Sequence, residues 1–244
     1  MKNISFNFAT NIIMNLILLM ITLMPVYTFS QTSLENSVID FNKPEFTISY
    51  DVLVKARNID GLAETYNGGI QTIFVKNDLV RIRLVSLMRT QSIFFFGSAK
   101  PNKPVAAVLK ESGKDRTKMM LDEKEWQNFN KADSNIICDT SFSENLTILN
   151  LLCKKATIKQ KKDKGYLEIY YVPGTRSAVL SKAIPLFSCI PGLVLKYIYT
   201  LGSKVIEYTA SAYNENKMDP AIFILPSQGY QLKKYVRGNT KKKR

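Results

Sequence analysis

Apolar and polar residues alternate along several stretches of the chain, a pattern typical of β-strands that bury one face. In residues 46–54, every second position beginning with Phe46 is apolar, and three of the four positions between them are polar. Residues 70–75 and 79–88 are predicted to form the arms of a hairpin across a polar turn. The same pattern predicts further strands at residues 149–160, 165–172, 193–200, 204–213, 222–225 and 230–236.

Short polar turns join these strands, whereas parallel strands need crossover connections of about a dozen residues or more. The sequence therefore predicts a mainly β fold, a curved antiparallel sheet of the half-barrel kind with one or two short helices. A helix is predicted over residues 122–129, and residues 90–109 receive no assignment. The chain has 13 Phe and 12 Tyr to fill the concave side. They are interpreted either as a packed core or as the wall of a ligand cavity.

The first residues have the order of a secretory signal peptide, predicted to span 1–30. Lys2 stands near the start, an apolar run covers residues 12–24, and the small residues Thr28 and Ser30 precede the predicted cleavage point. The alternative is an uncleaved membrane anchor, but the apolar run is shorter than the roughly 20 residues that span a bilayer. Export through a cleavable signal is therefore the prediction.

Cleavage divides the chain into three further parts. These are a flexible N-terminal segment (31–44), a single antiparallel β domain (45–237) and a basic disordered tail (238–244). No cysteine stands near the cleavage point to carry a lipid anchor. The sequence therefore predicts a periplasmic or secreted protein that is not an integral membrane protein after signal cleavage.

The chain is strongly basic, with a formal net charge of +14 at pH 7. This charge alone would fit a nucleic-acid partner. Export removes the protein from nucleic acid, and most of the cations are scattered along the chain, so no nucleic-acid partner is predicted. The cations are interpreted as a solvated surface or as a surface attracted to anionic lipid headgroups.

The residue types needed for catalysis are scarce. The chain has no histidine, which removes the commonest general base and every Ser-His or Cys-His nucleophile. Asp122, Glu123 and Glu125 crowd one predicted surface helix, and Glu168 and Glu207 each stand on a separate strand. No pair of cysteines has the spacing of a metal site. The sequence predicts a protein that is not an enzyme and holds no cofactor or metal.

The three cysteines allow one disulfide in an oxidising compartment. Cys138 and Cys153 lie on predicted neighbouring segments and are the candidate pair, while Cys189 is isolated. Such a bridge would contribute roughly 3 kcal/mol in the chain-entropy model. The alternative is three buried thiols that pack as small hydrophobic groups.

Four segments together resemble the GLPGLI family of exported proteins from Bacteroidetes. They are CKKAT at 153–157, IYY at 169–171, FSCIPGLVL at 187–195 and FILP at 223–226. The chain is identified as a divergent member of this family.

The family motif falls on Cys189, Ile190, Pro191, Gly192 and Leu193. The first two residues replace the glycine and leucine of the family pattern. Proline fixes its own φ and glycine can adopt a positive φ, so this motif predicts a structural turn that starts a strand.

The resemblance implies a fold like that of periplasmic lipoprotein-carrier proteins, in a family whose activity is not established. Two functions follow as expectations. The first is binding of a lipophilic ligand, or the acyl chain of a lipoprotein, in the concave face of the sheet. The alternative is a non-enzymatic protein-protein interaction module of the cell envelope, which docks on another envelope protein through a sheet edge or a basic surface.

Overall fold

The fold is seen in a computed structural model that describes residues 45–56, 66–97, 103–130, 136–160, 166–174 and 177–236. The predicted signal peptide, the predicted N-terminal segment and the basic tail lie outside the described residues. Among the helices of the described ranges, none is both long enough and apolar enough to cross a membrane.

The described ranges contain thirteen strands, two α-helices and two short 3-10 helices. Strands β1 to β13 are, in order, Glu45–Ala56, Gly69–Lys76, Leu79–Val85, Thr90–Phe96, Ala106–Ser112, Asp115–Leu121, Ile136–Asp139, Asn145–Ile148, Leu151–Gln160, Tyr166–Pro173, Gly192–Leu201, Lys204–Asn214 and Gln231–Leu232. Helices α1 and α2 are Glu123–Asn130 and Ala178–Ala183, and the 3-10 helices are Pro185–Phe187 and Pro220–Phe223.

All thirteen strands belong to one open, curved sheet. Its order is β13-β6-β5-β4-β3-β2-β1-β12-β11-β10-β9-β7, and β8 pairs with the first half of β9. Every pairing is antiparallel except that of the short β13 with β6. The mainly β fold with an antiparallel sheet and two short helices is therefore confirmed.

Most predicted strands appear close to their expected bounds, including β1, the β2–β3 hairpin and β10 to β12. The unassigned residues 90–109 supply β4 and most of β5. The strand predicted at 149–160 begins two residues later, at Leu151, because Leu149 and Asn150 form a two-residue turn with φ of 52° and 61° between β8 and β9. Two consecutive positive φ values fit the twist of a tight hairpin.

The two faces of the sheet are covered by different elements. We call inner the face on which Phe46, Ile48 and Tyr50 are buried, because α1, α2 and the first 3-10 helix lie against it. The outer face carries Phe94, which packs against Leu225 of the C-terminal segment. Two covered faces explain why several central strands bury side chains on both sides.

The strands predicted at 222–225 and 230–236 are wrong for most of their length. Residues 220–223 form a 3-10 helix capped by Asp219, whose carboxylate accepts from the Ala221 amide at 2.9 Å, and only Gln231–Leu232 is a strand. Pro220 and Pro226 lack the amide hydrogen that a strand ladder needs. Leu225 and Tyr230 of this segment pack on the outer face instead.

Candidate functional site

The centre of the inner face is filled by aromatic side chains. The Tyr50 hydroxyl donates to the Val194 carbonyl oxygen at 2.7 Å, and the Tyr197 oxygen accepts from Gln71 Nε2 at 2.8 Å. The rings of Tyr197 and Tyr208 stack with centroids 4.3 Å apart. Burial raises the pKa of Tyr208 to about 12 and holds the pKa of Tyr197 well above its ordinary value. These phenols therefore remain protonated at neutral pH and serve as packing and hydrogen-bonding groups.

Little space remains at this centre. A cavity of about 20 Å³ lies between β1, β11 and α2, which is room for about one water molecule. Phe187 closes it, with its ring centroid 5.1 Å from that of Tyr197. An alkyl chain does not fit there, so a lipophilic ligand on this face needs a different position.

A larger apolar groove lies beside the filled centre, where α1 crosses the ends of β4 and β5. We call it the α1 groove, and its volume is about 390 Å³. Its lining residues are Phe95, Phe96, Gly97, Val105, Glu123, Trp126, Gln127, Ser181, Lys182 and Pro185. Aromatic and aliphatic side chains make up its walls, and polar side chains come from the two helices.

The start of α1 directs Trp126 into this groove. The Asp122 carboxylate accepts from the Glu125 amide at 2.7 Å, and the Glu125 carboxylate accepts from the Asp122 amide at 3.1 Å. This reciprocal pair is a capping box, which fixes the first turn of a helix. Trp126 follows one position later, with its ring 5.5 Å from that of Phe95 and its Nε1 donating to the Lys182 carbonyl at 3.4 Å. The sole tryptophan of the chain therefore links the sheet to both helices.

Gly97 lets β4 end close to the neighbouring turn. Its amide donates to the Asp78 carbonyl oxygen at 2.6 Å. A Cβ at position 97 would lie 2.6 Å from the same oxygen, which is far inside normal contact. The absence of a side chain thus allows the close backbone approach that forms one end of the groove.

The mouth of the α1 groove is polar. Gln127 and Glu123 lie one helical turn apart on α1 and share a hydrogen bond of 3.1 Å. Ser181 and Lys182 face them from α2. An apolar cleft with a polar, charged mouth suits a molecule that has an apolar body and a polar end.

The structure pairs Cys138 with Cys189, not with Cys153 as predicted. Cys138 lies opposite Ile158 in the β7–β9 pairing. Cys153 is an odd number of positions from Ile158 on β9, so its side chain faces the other side of the sheet. It lies roughly 16 Å from Ile158 along the strand. Its buried thiol contacts the Leu151 carbonyl oxygen at 3.6 Å. Sequence proximity of two strands did not reveal which faces their cysteines occupy.

The five residues of the predicted motif lie at and just before the start of β11. Cys189 is in the disulfide, Ile190 is fully buried, and the Gly192 amide donates to the Ile190 carbonyl at 3.0 Å as β11 begins. Pro191 precedes this start, and Leu193 lines the small central cavity. Gly192 does not use a positive φ. Glycine is required there because β10 passes too close for a side chain.

A cluster of charged groups lies on the outer face. Lys155 Nζ is 2.7 Å from Glu144 Oε2 and 3.1 Å from Glu168 Oε2, and the Tyr170 hydroxyl donates to Glu144 at 2.9 Å. The hydrogen bond from Lys155 lowers the pKa of Glu144, and burial raises the pKa of Tyr170 to about 12. These groups satisfy one another and hold the segment before β8 on the sheet. In the described part of the chain, no group of three or more His, Cys, Asp or Glu residues could hold a metal.

Sequence analysis missed the residues that form the α1 groove. Trp126 was within the predicted helix, and Phe95 and Phe96 were in the unassigned region. The signal available was a run of three phenylalanines, 94–96, and the only tryptophan of the chain, 30 positions further along. The periodicity of this run is hidden because both faces of β4 are covered.

Comparison with known proteins gives weak likenesses. No family model and no curated protein matches the sequence, so membership of the GLPGLI family stays a prediction. A solved structure of PNGF-II is 14% identical with a TM-score of 0.43, over 79% of this chain and 32% of that one. This chain therefore spans about a third of the length of that protein.

Two further solved structures resemble the chain over most of their own length. The lipoprotein LppX of Mycobacterium tuberculosis is 10% identical with a TM-score of 0.29, over 70% of this chain and 88% of that one. A LolA-superfamily protein from Nitrosomonas europaea is 8% identical with a TM-score of 0.23, over 76% and 92% of the two chains. These similarities are too low to indicate a function. The proposed function therefore rests on the geometry of this chain.

Proposed function

We propose that this chain is an exported cell-envelope protein that binds a lipophilic ligand in the α1 groove. The observation that carries this proposal is the groove itself, an apolar cleft of about 390 Å³ beside the filled centre of the inner face. Small-molecule sites in proteins are mostly apolar clefts of about 300–1,000 Å³. The groove lies in the lower part of that range, so its ligand is a single alkyl chain or a compact aromatic lipophile.

The side chains that line the groove account for its preference for apolar ligands. Phe95, Phe96 and Trp126 are the large apolar side chains of its lining, and Val105 and Pro185 complete it. Each buried methylene of a ligand contributes about 0.8 kcal/mol. The affinity of straight-chain ligands therefore rises with chain length until the groove is full and then stays constant.

The first experiment identifies the natural ligand. Native mass spectrometry of the protein purified from its own envelope should show a complex, and denaturation with organic extraction should release a stoichiometric lipophile. The same protein then binds a dansyl-labelled undecanoic acid, and saturated fatty acids of about 8 to 16 carbons displace it with a plateau at the longer lengths. Affinity that does not depend on chain length would contradict a site of this kind.

A matched pair of variants locates the site. Gln127 is exposed on α1 and lines the groove, whereas Lys124 is exposed on the same helix outside it. Gln127→Trp should fill the mouth and weaken probe binding at least about tenfold, a loss of about 1.4 kcal/mol. Lys124→Trp should bind the probe as the unchanged chain does. Equal binding by both variants would move the ligand site away from α1.

The interaction-module alternative has one observation in its favour. Strand β7 is at one end of the sheet order, and its Ile137 is exposed. Edge strands of proteins accept added strands from partners. However, β7 spans only Ile136–Asp139, and short edge strands are a common protection against such pairing. The α1 groove is therefore the better-supported site.

A further inference from the structure

The turn between β3 and β4 exposes two apolar side chains at its apex. Leu87 is 97% exposed and Met88 is 64% exposed. The turn is closed by the Ser86 amide, which donates to the Arg89 carbonyl at 2.9 Å, and the Ser86 hydroxyl reaches the same oxygen at 3.2 Å. Polar residues, glycine and proline normally occupy such turns. A turn this short cannot fold its apex back onto the sheet, so both side chains stay in solvent.

The apolar surface continues from the apex onto the sheet. Val85 ends β3 and lies opposite Ile70 of β2, and both are exposed on the outer face. Exposed Leu53 lies nearby on β1, beyond the Asp51 that pairs with Ile70. We call Leu53, Ile70, Val85, Leu87 and Met88 together the β3–β4 tip.

Cations flank the β3–β4 tip on the side of β3 to β6. Arg83 lies two positions before Val85 on β3, and Arg89 closes the turn. Lys110 pairs with Gln91 on the adjacent strand, and Lys114 is in the β5–β6 turn at the same end of the sheet. The nearby Glu111 accepts a hydrogen bond of 2.7 Å from the Tyr230 hydroxyl. The whole chain carries a net charge of +14.

We propose that the β3–β4 tip docks on an anionic lipid bilayer. Apolar side chains at a convex apex enter the boundary between headgroups and acyl chains, where their burial is favourable. Cations on the flanks then lie at the level of the phosphates, and each contributes to binding. A protein partner would need a groove to receive the apex and acidic groups around it. The flanking cations and the protruding apex match an anionic membrane surface directly.

Site-specific labelling of the full chain tests this docking. The variant Leu87→Cys is labelled with the environment-sensitive fluorophore NBD. The label attaches only at position 87, because the disulfide occupies Cys138 and Cys189 and Cys153 is buried. The matched control is Leu152→Cys, because Leu152 is 62% exposed and β9 begins at the opposite end of the sheet. With vesicles containing phosphatidylglycerol, emission at position 87 should increase several-fold and shift to shorter wavelength, and emission at position 152 should not change.

The charge requirement has its own test. Vesicles of phosphatidylcholine alone should leave the probe at position 87 in water. Arg89→Gln with Lys110→Gln should raise the amount of anionic lipid needed for half-maximal signal by about tenfold or more. No response at position 87, an equal response at both labelled positions, or binding that ignores anionic lipid would each overturn the proposal. The first of these outcomes would leave a protein as the partner of the tip.

Discussion

At the residue scale, Gly192 shows how one missing side chain sets the start of a strand. A Cβ at position 192 would collide with the Val172 carbonyl oxygen of β10. We expect Gly192→Ala to lower the free energy of unfolding by about 3 kcal/mol, because β10 and β11 must separate locally. The control is Gly113→Ala, which has a positive φ of 58° but open space and should cost about 1 kcal/mol. Urea unfolding of both variants would contradict this account if Gly192→Ala lost no more than Gly113→Ala.

Glu207 links the charge of a single residue to the stability of the chain at low pH. Lys196 Nζ is 2.6 Å from one carboxylate oxygen and Lys55 Nζ is 3.0 Å from the other. The hydrogen bond from Lys196, followed by that from Lys55, lowers the pKa of Glu207 below its ordinary value. Hydrogen bonds from the Met218 amide and then from Lys76 lower the pKa of Glu45, and the hydrogen bond from Lys155 lowers that of Glu144.

A lowered carboxyl pKa adds stability that is fully present above the pKa of the unfolded chain and is lost as pH falls through the folded pKa. We therefore expect the free energy of unfolding to fall below about pH 4.3, the ordinary range of glutamate. Urea unfolding at several pH values measures this fall, which should be smaller in Glu207→Gln. An equal fall in both proteins would exclude Glu207 as a source of the acid dependence.

At the element scale, the C-terminal segment 215–232 acts as a cover for the outer face. Three cationic side chains of the sheet donate to its carbonyl oxygens. The pairs are Lys76 with Met218 at 2.9 Å, Arg81 with Ile222 at 2.8 Å, and Lys118 with Pro226 at 3.1 Å. Irregular backbone can lie on a sheet in this way because charged donors satisfy its carbonyl groups.

Neighbouring residues of this cover provide a matched test. Phe223 is 8% exposed and Ile224 is 69% exposed. Phe223→Ala should lower the free energy of unfolding by about 3 kcal/mol through lost burial and a residual cavity. Ile224→Ala should change it by less than about 0.5 kcal/mol. Chemical unfolding that gives similar losses for both variants would show that the segment does not pack as described.

Sequence patterns predicted the elements that bury one face and failed for those covered on both. β1 was clear because Phe46, Ile48 and Tyr50 alternate with polar residues. β4 was not assigned, because Phe94 packs under the C-terminal segment while Phe95 packs under α1. The α1 groove depends on which elements meet in space, and alternation within one strand carries no such information. The C-terminal residues had an apolar pattern whose cause was packing and not strand pairing.

At the scale of the whole molecule, one disulfide connects β7 to the segment before β11. Cys138 and Cys189 have Cα atoms 6.4 Å apart and a sequence separation of 51. A loop of this length corresponds to about 4 kcal/mol of stabilisation in the chain-entropy model. Cys153 is the remaining thiol, and burial raises its pKa to about 11.

We expect peptide mapping without reductant to recover Cys138 linked to Cys189. Iodoacetamide should leave the folded chain unmodified, because the buried thiol of Cys153 is neither accessible nor ionised at neutral pH. After unfolding without reductant, one cysteine should react, and it should be Cys153. A recovered link between Cys138 and Cys153 would contradict the pairing in the structure.

The pairing of β1 with β12 also determines how late in synthesis the fold can be completed. The bond from the Tyr50 hydroxyl to Val194 joins residues separated by 144 positions, and Tyr50 lies opposite Ala210 across the strand pair. Synthesis proceeds from the N-terminus, so β1 can pair with β2 early. Its other edge stays unpaired until β12, near the end of the chain, has been made. Such distant contacts make folding slow, and a waiting apolar strand edge favours aggregation. During this interval the nascent chain is prone to aggregation through β1, and a chaperone that binds unfolded chains would protect that strand.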